Sequence, residues 1–453
     1  MQIQDYKNIY FVGIGGVSMS GLALILADSG YIVKGSDTIY SSNIENLIKQ
    51  NIHVNIGQVS NNITNDIDLI IYTAAVSTEN PELMKGRELG IKIIDRAHLL
   101  GLLMKNYEFP ISIAGTHGKS STTSMLSEIF LLANKNPTIT VGGNLKSIKG
   151  NINIGDNKYF IVESCEYFDS FLQFFPHTAA VLNIELDHVD YFNDIGEIRK
   201  SFIHFCKNID ISGNLLINKS IEDIKEIINE LECNIITYGV YTGDLQAINV
   251  KVKDSKTVFE ILFKGENLGG IELQVLGKHN VENALAAIGI ALCYNIDFNI
   301  IKEALKDFTG IGRRFEIKGS INGAKIYDDY AHHPTEIACT LGSCKYRDYE
   351  NLWVVFQPHT YTRTKDLLKG FSESFNMADK IILLDIYSAR EPYTNEIHSK
   401  DLEKLLKKKN KEVYYFSSFE DAEIYIRKNI CQDDILITMG AGDVYKLGES
   451  LIL

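Results

Sequence analysis

The feature that most constrains the fold is the stretch ISIAGTHGKSSTT at residues 111–123. It predicts a short buried strand, a glycine turn around Gly115 and Gly118, and the start of a helix. Glycines let the backbone turn tightly enough for several N–H groups to point at one anion, and the helix N-terminus adds partial positive charge. Lys119 would then reach the outer phosphates of a nucleotide, and the Ser120 hydroxyl would bind Mg²⁺.

This prediction of a phosphate site has a purely geometric alternative. Ile113 stands where the P-loop pattern has its first glycine, and glycine turns before helices are common without any ligand. The strand before the turn and the helix after it favour phosphate binding over that alternative.

Length and charge limit the classes of protein to consider. A chain of 453 residues predicts about three domains of about 150 residues each. The net charge of −13 argues against general affinity for nucleic acid, which needs a basic surface. Phosphate binding by such an acidic chain must therefore depend on local lysines, arginines and backbone dipoles.

The cysteines and the apolar segments indicate a compartment. Seven scattered cysteines form neither a disulfide framework nor a Cys-x-x-Cys pair, which is typical of a reducing cytosol. The first residues lack a signal-type pattern, and apolar runs are too short to span a bilayer. We therefore expect a cytoplasmic protein that does not interact with membranes.

The first hundred residues alternate predicted strands and helices, which indicates a parallel sheet with ligands at its carboxyl edge. A strand at 8–14 leads into GIGGVSMSG at 13–21, a dinucleotide-type turn in which Ser18 replaces the third glycine. Asp37 follows the second predicted strand, where an acidic residue can hold ribose hydroxyls. A scaffold without ligand and a nicotinamide oxidoreductase both remain open on these residues alone.

Carboxylates follow two predicted strands of the middle region. The apolar run at 159–162 stops at Glu163, and the run at 179–182 leads into NIELDH at 183–188. Beside the phosphate loop, such groups can coordinate Mg²⁺ and place a γ-phosphate for in-line attack. The alternatives are a solvated strand end for Glu163 and a helix cap or a hydrogen-bonding role for His188.

Two later segments complete the outline. Residues 245–276 predict an antiparallel excursion, and GKHNVENALAA at 277–287 begins a helix. Asn280 and Asn283 there suit either a base edge or helix capping and core packing. A third α/β unit begins near residue 313, and its adjacent His332 and His333 lack partners at zinc-ligand spacing.

Six motifs in one order carry a family resemblance. They are GIGG at 13–16, GTHGKS at 115–120, NIELDH at 183–188, GRRFE at 312–316, DDYAHHPTE at 328–336 and FQPH at 356–359. The chain resembles the ATP-dependent Mur ligase family of peptidoglycan synthesis over essentially its whole length. The histidine of the phosphate loop and the DDYAHHP run are the specific parts, because sibling ligases for later residues usually differ there.

The resemblance implies an α/β protein of three domains. Residues 1–107 would form a Rossmann-like domain that holds UDP rather than NAD, and residues 108–312 a P-loop ATPase domain with a mostly parallel sheet and an antiparallel flank. Residues 313–453 would form a Rossmann-like domain for the amino acid. The implied reaction joins L-alanine to the lactyl carboxylate of UDP-N-acetylmuramate through an acyl phosphate, giving ADP and phosphate. ATP and two Mg²⁺ ions are the implied cofactors, and a monomer or homodimer is expected.

The resemblance also assigns roles to residues at matching positions. The implied ATP site is Gly115, Thr116, His117, Gly118, Lys119, Ser120, Ser121, Asn283, Arg314 and Asp329. The implied UDP site is Gly15, Gly16, Ser18, Asp37, Thr73 and Arg96, and the alanine pocket is Tyr330, His332 and Arg363. The implied catalytic residues are Lys119, His188, His332 and Arg363. One Mg²⁺ would bind Ser120 and Glu163, and the second would bind Glu163 and His188.

Two positions depart from the family pattern, and other functions stay in competition. Thr360 stands where relatives often carry arginine, which leaves Arg363 as the expected partner of the alanine carboxylate. Gln58 stands where relatives often carry histidine, so it is not counted in the implied uridine site. The competing functions are a recycling ligase for a murein tripeptide, a nicotinamide oxidoreductase and a non-catalytic nucleotide-binding regulator.

Overall fold

The computed structural model describes residues 2–73, 75–389 and 391–453. The first sheet has five parallel strands in the order β3-β2-β1-β4-β5. Its strands are β1 (Asn8–Val12), β2 (Ile32–Asp37), β3 (His53–Ile56), β4 (Leu69–Tyr72) and β5 (Lys92–Asp95). Its helices are α1 (Val17–Asp28), α2 (Ser42–Lys49), α3 (Pro81–Glu88) and α4 (Arg96–Met104). The sequence predicts that Asp37 follows the second strand, but it is the last residue of β2 and so lies at the carboxyl edge of the sheet.

The middle sheet has ten strands in the order β15-β14-β13-β12-β11-β10-β6-β9-β7-β8. Its strands are β6 (Phe109–Ala114), β7 (Thr138–Leu145), β8 (Gly150–Asn153), β9 (Tyr159–Ser164), β10 (Thr178–Val181), β11 (Asn214–Asn218), β12 (Asn234–Val240), β13 (Leu245–Lys253), β14 (Lys256–Phe263) and β15 (Glu266–Leu273). Its helices are α5 (Lys119–Leu132), α6 (Ile195–Lys207), α7 (Ile224–Ile228), α8 (Lys278–Cys293) and α9 (Phe298–Asp307). Strands β6 and β9 to β12 pair in parallel, and β13 to β15 form the predicted antiparallel flank.

The third sheet has six strands in the order β16-β17-β21-β18-β19-β20, parallel except at β16. Its strands are β16 (Glu316–Ile321), β17 (Ala324–Asp329), β18 (Leu352–Phe356), β19 (Lys380–Leu383), β20 (Glu412–Tyr415) and β21 (Ile435–Met439). Its helices are α10 (Pro334–Cys344), α11 (Tyr361–Asp366), α12 (Leu368–Ser374), α13 (Ser399–Lys408), α14 (Phe419–Asn429) and α15 (Tyr445–Leu451).

These three sheets confirm the predicted α/β class and its division into three units. The sequence did not predict the hairpin of β7 and β8, or β16. Residues 142–144 and 150–153 are mostly glycine and asparagine, which have low strand propensity, so pairing with neighbours decides their conformation. Within the described ranges, every helix is too short or too polar to cross a bilayer.

The first unit docks directly on the middle sheet. An ideal Cβ on Gly21 of α1 would lie 1.3 Å from Cδ1 of Ile152 in β8, so only glycine allows this approach. The side chain of Asn151 donates from Nδ2 to the carbonyl of Val17 at 3.2 Å. The first turns of α1, which follow the glycine turn, are therefore in direct contact with the middle unit.

Candidate active site

The phosphate loop is the tight turn between the end of β6 and the start of α5. Gly118 precedes the helix with a φ of +83°, in the left-handed region that glycine adopts without strain. A Cβ atom there would lie 2.5 Å from Oδ1 of Asn283. Ile113, at the place of the first pattern glycine, is buried inside β6. The turn is therefore confined to residues 115–118, and it leads directly into the N-terminus of α5.

Lys119 is the first residue of α5, and its side chain folds back over the loop. Its Nζ donates to the carbonyl oxygens of Gly115 and Thr116 and to Oε2 of Glu166 at 3.0 Å. Burial lowers the pKa of this ammonium, but the acidic groups around it, chiefly Glu166, together outweigh burial and raise the pKa above its ordinary value. Lys119 is therefore charged near neutral pH, at the place where transferring phosphates would gain negative charge.

Ser120 and Glu163 face each other across the strand ends. The Ser120 hydroxyl donates to Oε2 of Glu163 at 3.0 Å, and the Gly142 amide donates to the other carboxylate oxygen. Burial raises the pKa of Glu163. A hydroxyl and a carboxylate at this distance are oxygen ligands of the kind that Mg²⁺ prefers. The predicted first pair of metal ligands is thus in direct contact.

His188 lies on the loop after β10 with a φ of +52° and stacks on the ring of Tyr167. Burial lowers the pKa of His188, so the ring is neutral and offers a lone pair. Its Nε2 lies 3.8 Å from Oε1 of Glu166, a buried oxygen with no hydrogen-bond partner in the described part of the chain. The carboxylate that faces His188 is therefore Glu166, whereas the predicted second pair joins His188 to Glu163.

A cavity of about 190 Å³ opens beside the phosphate loop, between the middle and third units. Its lining includes His117, Gly118, Ser121, Asn283, Arg314 and Asp329. Asn280 also lines it, but its amide donates to the carbonyl of Leu276 at 2.8 Å and so fastens the start of α8. Asn283 therefore has the freer amide of the two asparagines that the sequence suggested for a base edge.

The third unit contributes charged groups to this cavity. The Nη1 of Arg314 lies 3.5 Å from Oε1 of Glu336, which raises the pKa of the guanidinium against the lowering effect of burial. Asp329 accepts the amides of Phe315 and Ala331 at 2.8 Å each. Burial raises the pKa of Asp329 to about 6. Both predicted residues thus lie at the cavity wall, across from the phosphate loop.

His117 joins the phosphate loop to the third unit. Its Nδ1 lies 3.3 Å from Glu336 of α10, and its Nε2 lies 3.6 Å from Glu185. Burial lowers the pKa of the imidazole, but these two carboxylates outweigh it and raise the pKa to about 9. The loop histidine is therefore a cation at neutral pH and an electrostatic link between the two units.

This shift predicts a pH-dependent contribution to stability. A histidine whose pKa rises from about 6.5 to about 9 on folding stabilises fully below pH 6.5 and loses this effect as the pH approaches 9. We expect wild type to exceed His117→Gln in free energy of unfolding by up to about 3 kcal/mol at pH 6, and by much less at pH 9.5. Urea unfolding at both pH values measures this, with the exposed His204→Gln as control. A difference that does not change with pH would contradict the charged link.

A buried ion pair also joins the middle unit to the third unit. Arg363 of α11 donates from Nε and Nη2 to Oδ1 of Asp187 at 3.0 and 2.8 Å, and both side chains are more than 90% buried. Burial raises the pKa of Asp187, but the neighbouring groups, of which Arg363 has the largest effect, together outweigh burial and hold the pKa well below its usual range. His332 has its pKa lowered to about 4 by burial. The rings of Tyr330 and His332 are 5.3 Å apart, and the ring of His359, which bonds Nη1 of Arg363, is 5.7 Å from that of His332. The structure therefore brings the three predicted alanine-pocket residues together.

One group of side chains has metal-like spacing. His117, Glu185 and His333 place one donor atom each within 4.8 Å of one another. However, Nδ1 of His333 accepts the amide of Thr335, so Nε2 carries the proton that it donates to the Leu186 carbonyl. With both ring nitrogens used, His333 is a cap for α10 rather than a zinc ligand.

The predicted UDP residues gather at the carboxyl edge of the first sheet. The Gly15 amide donates to Oδ2 of Asp37 at 2.8 Å, and Nη1 of Arg96 donates to Ser18 at 3.2 Å. Cγ2 of Thr73 lies beside Gly13, the first residue of the glycine turn. Gly16 precedes α1, so Ser18 lies in the first turn of that helix.

The two departures from the family pattern both have local partners. Thr360 has a φ of +64° and caps α11, where its side chain accepts the Arg363 amide at 3.4 Å. Oε1 of Gln58 accepts from Nδ2 of Asn80 at 2.7 Å. Both side chains therefore form hydrogen bonds within their own unit.

Sequence reasoning assigned no role to four acidic residues that the site uses. They are Glu166, Glu185, Asp187 and Glu336. Glu166, Glu185 and Asp187 follow the ends of β9 and β10, and Glu336 lies in the first turn of α10, so their local positions were visible in the sequence. Their partners were not, because Glu185, Asp187 and Glu336 contact residues more than 100 positions away.

Comparison with known proteins gives consistent matches along the chain. Residues 8–108 match the model described as Mur ligase family, catalytic domain. Residues 113–291 match the Mur ligase middle domain, and residues 313–442 the Mur ligase, glutamate ligase domain. The UDP-N-acetylmuramate–L-alanine ligase of Acetivibrio thermocellus is 47% identical over 99% of this chain and 96% of its own length. The ligase of the same name from Caldanaerobacter subterraneus subsp. tengcongensis is 43% identical over 100% of this chain and 98% of its own length.

Solved structures agree with these sequence matches. The crystal structure of UDP-N-acetylmuramate-alanine ligase MurC from Thermotoga maritima has a TM-score of 0.82 and 27% identity over 98% of both chains. A MurF ligase from Thermotoga maritima in complex with ADP has a TM-score of 0.63 over 93% of this chain and 95% of its own, and at 14% identity it supports the fold alone. On these matches, the chain belongs to the Mur ligase family.

Proposed function

We propose that this chain is the ATP-dependent ligase that joins L-alanine to the lactyl carboxylate of UDP-N-acetylmuramate and releases ADP and phosphate. Relatives 43–47% identical over nearly the whole chain carry that name. The observation that carries the proposal furthest is the meeting of two units at one site. In the middle unit, one sheet edge holds the charged Lys119, the Ser120–Glu163 pair and the loop that contains Asp187. Asp187 in turn pairs with Arg363 of the third unit.

The reaction proceeds through an acyl phosphate and needs no protein nucleophile. A lactyl carboxylate oxygen attacks the γ-phosphorus of ATP, and the bond to the bridging oxygen breaks to release ADP. The alanine amine then attacks the acyl carbon, and the tetrahedral intermediate expels phosphate. The protein supplies position and charge compensation, for which the cationic Lys119 is placed over the loop.

The residues present fit a divalent cation. Ser120 and Glu163 offer oxygens 3.0 Å apart, Glu166 has an unpartnered buried oxygen, and His188 is neutral. We infer that Ser120 with Glu163 holds one Mg²⁺, and that His188 with Glu163 or Glu166 holds a second. Bound Mg²⁺ would neutralise charge on the phosphates. Glu163 and Ser120 would orient that charge beside Lys119.

The three units divide the substrates. We assign the UDP part to residues 1–107, ATP to residues 108–312, and alanine to residues 313–453. Arg363 uses three of its five N–H groups on Asp187 and His359, so the remaining N–H groups are available to the alanine carboxylate. Neutral His332 bonds the Tyr330 carbonyl through Nδ1, so its Nε2 can accept a hydrogen bond from the attacking amine. We place the enzyme in the cytoplasm, as a monomer or homodimer.

A coupled assay for ADP tests the proposed function. We expect ADP release only when UDP-N-acetylmuramate, Mg²⁺ and L-alanine are all present with ATP. A panel of amino acids under the same conditions would show how strictly alanine is chosen. ADP release without the sugar nucleotide, or none with the complete mixture, would contradict the proposal.

The same assay separates the competing functions. Equal turnover with a preformed murein tripeptide in place of L-alanine would indicate the recycling ligase. An NADH absorbance change with any partner substrate would indicate the oxidoreductase. Nucleotide binding without turnover would indicate a regulator, a reading that the paired Ser120 and Glu163 disfavour.

A further inference from the structure

The first unit contains a buried carboxylate for which the proposed chemistry has no use. Glu82 lies in the first turn of α3, and its side chain is fully buried. It accepts hydrogen bonds from the Tyr10 hydroxyl at 3.0 Å, the Ser36 hydroxyl at 2.5 Å and the Asn62 amide at 2.6 Å. Burial raises its pKa against the lowering effect of these donors. A buried carboxylate held by neutral donors is costly, and an apolar side chain would fill the space at less cost.

Glu82 is connected to the glycine turn through Ser36. Ser36, which donates to Glu82, accepts the amides of Gly13 and Ile14 on its own carbonyl at 2.9 Å each. The next residue, Asp37, accepts the amide of Gly15. The end of β2 is therefore held between the buried carboxylate and the turn at the proposed UDP site.

The second loop is the segment 57–62 that follows β3. Asn62 donates from Nδ2 both to Glu82 and to the carbonyl of Gly57 at 2.9 Å. The Gly57 amide in turn donates to the carbonyl of Asp37 at 2.8 Å. Glu82 thus joins the two loops that flank Asp37, one through Ser36 and the other through Asn62.

The start of α3 also fixes the orientation of Gln58. Asn80 accepts the Glu82 amide on Oδ1, so its Nδ2 is the group that donates to Oε1 of Gln58. The Gln58 amide group is left to donate from Nε2. The hydrogen bonds of the protein itself therefore define the conformation of this loop and the group that it offers as a donor.

We propose that Glu82 is a positioning residue for the uridine diphosphate part of the substrate. It acts through Ser36 and Asn62, which hold the glycine turn and the 57–62 loop at the spacing that this nucleotide needs. The proposal rests on the proposed function, because it takes the carboxyl edge of the first sheet as the UDP site. A preorganised site gains affinity because it loses less conformational freedom on binding.

Calorimetry with UDP, together with steady-state kinetics, tests this role in the full-length protein. Glu82→Gln keeps the shape of the side chain, and Asn62→Ala removes one half-buried donor without touching the core. We expect both variants to weaken UDP binding and raise KM for UDP-N-acetylmuramate about tenfold, which is about 1.4 kcal/mol. KM for ATP and kcat should stay within a factor of about two.

Asp434→Asn is the matched control. Asp434 is another buried carboxylate, and the side chains of Trp353 and Asn351 donate hydrogen bonds to it. It immediately precedes β21, at the end of that strand opposite to the carboxyl edge of the third sheet. It should lower the melting temperature as much as Glu82→Gln does, yet leave UDP affinity unchanged. Wild-type UDP affinity in both Glu82→Gln and Asn62→Ala, or an equal rise in KM for ATP, would overturn the positioning role. Wild type that binds no UDP at all would instead overturn the proposed function.

Discussion

Replacement of Lys119 by alanine is expected to lower ADP formation at least about a thousandfold while the protein stays folded. The ammonium is the charged group that the phosphate loop holds over its own carbonyls, and its pKa lies above the ordinary value. Removing it takes away charge compensation that grows as the γ-phosphoryl group transfers. Single-turnover ADP release with saturating substrates measures the chemical step, and circular dichroism checks the fold.

The control for this variant is Lys278→Ala. Lys278 is the first residue of α8, close to the same cavity, but it is exposed and pairs with Glu282 at the surface. Its loss should change ADP formation less than about twofold, because exposed pairs contribute little. Retained activity in Lys119→Ala would mean that the loop does not bind the transferring phosphate.

Much of the fold followed from local sequence pattern. The strands Leu352–Phe356 and Ile435–Met439 are runs of which all residues but Thr438 are apolar, and the structure places both, fully buried, in the third sheet. Such runs are recognisable in the sequence because parallel strands are buried on both faces and so consist almost entirely of apolar residues. The hairpin of β7 and β8 carries no such run, and its strands exist because β9 and α1 lie beside them.

The site was predictable in its local parts but not in its long-range pairs. Gly118, Lys119 and Ser120 are consecutive at the start of α5, so their spacing, together with the strand before and the helix after them, indicated a phosphate loop. The partners of Asp187 and His117 come from the third unit, 176 and 219 residues away. No periodicity connects such positions, because only the docking of two separately folded units brings them together.

The second large effect is expected from Arg363→Ala. This variant leaves the Asp187 carboxylate buried without its cation, which costs about 3–5 kcal/mol while the third unit stays docked. Opening of the interface would hydrate the carboxylate, so we expect a larger radius of gyration in small-angle X-ray scattering and at least about a hundredfold loss of ADP formation. The double variant Asp187→Asn with Arg363→Gln removes both charges and should restore the compact form.

If Arg363 also binds the alanine carboxylate, that double variant should keep a KM for alanine raised at least about tenfold, with KM for ATP near wild type. A single Arg363→Ala variant with the wild-type radius and wild-type KM for alanine would contradict both roles of the arginine.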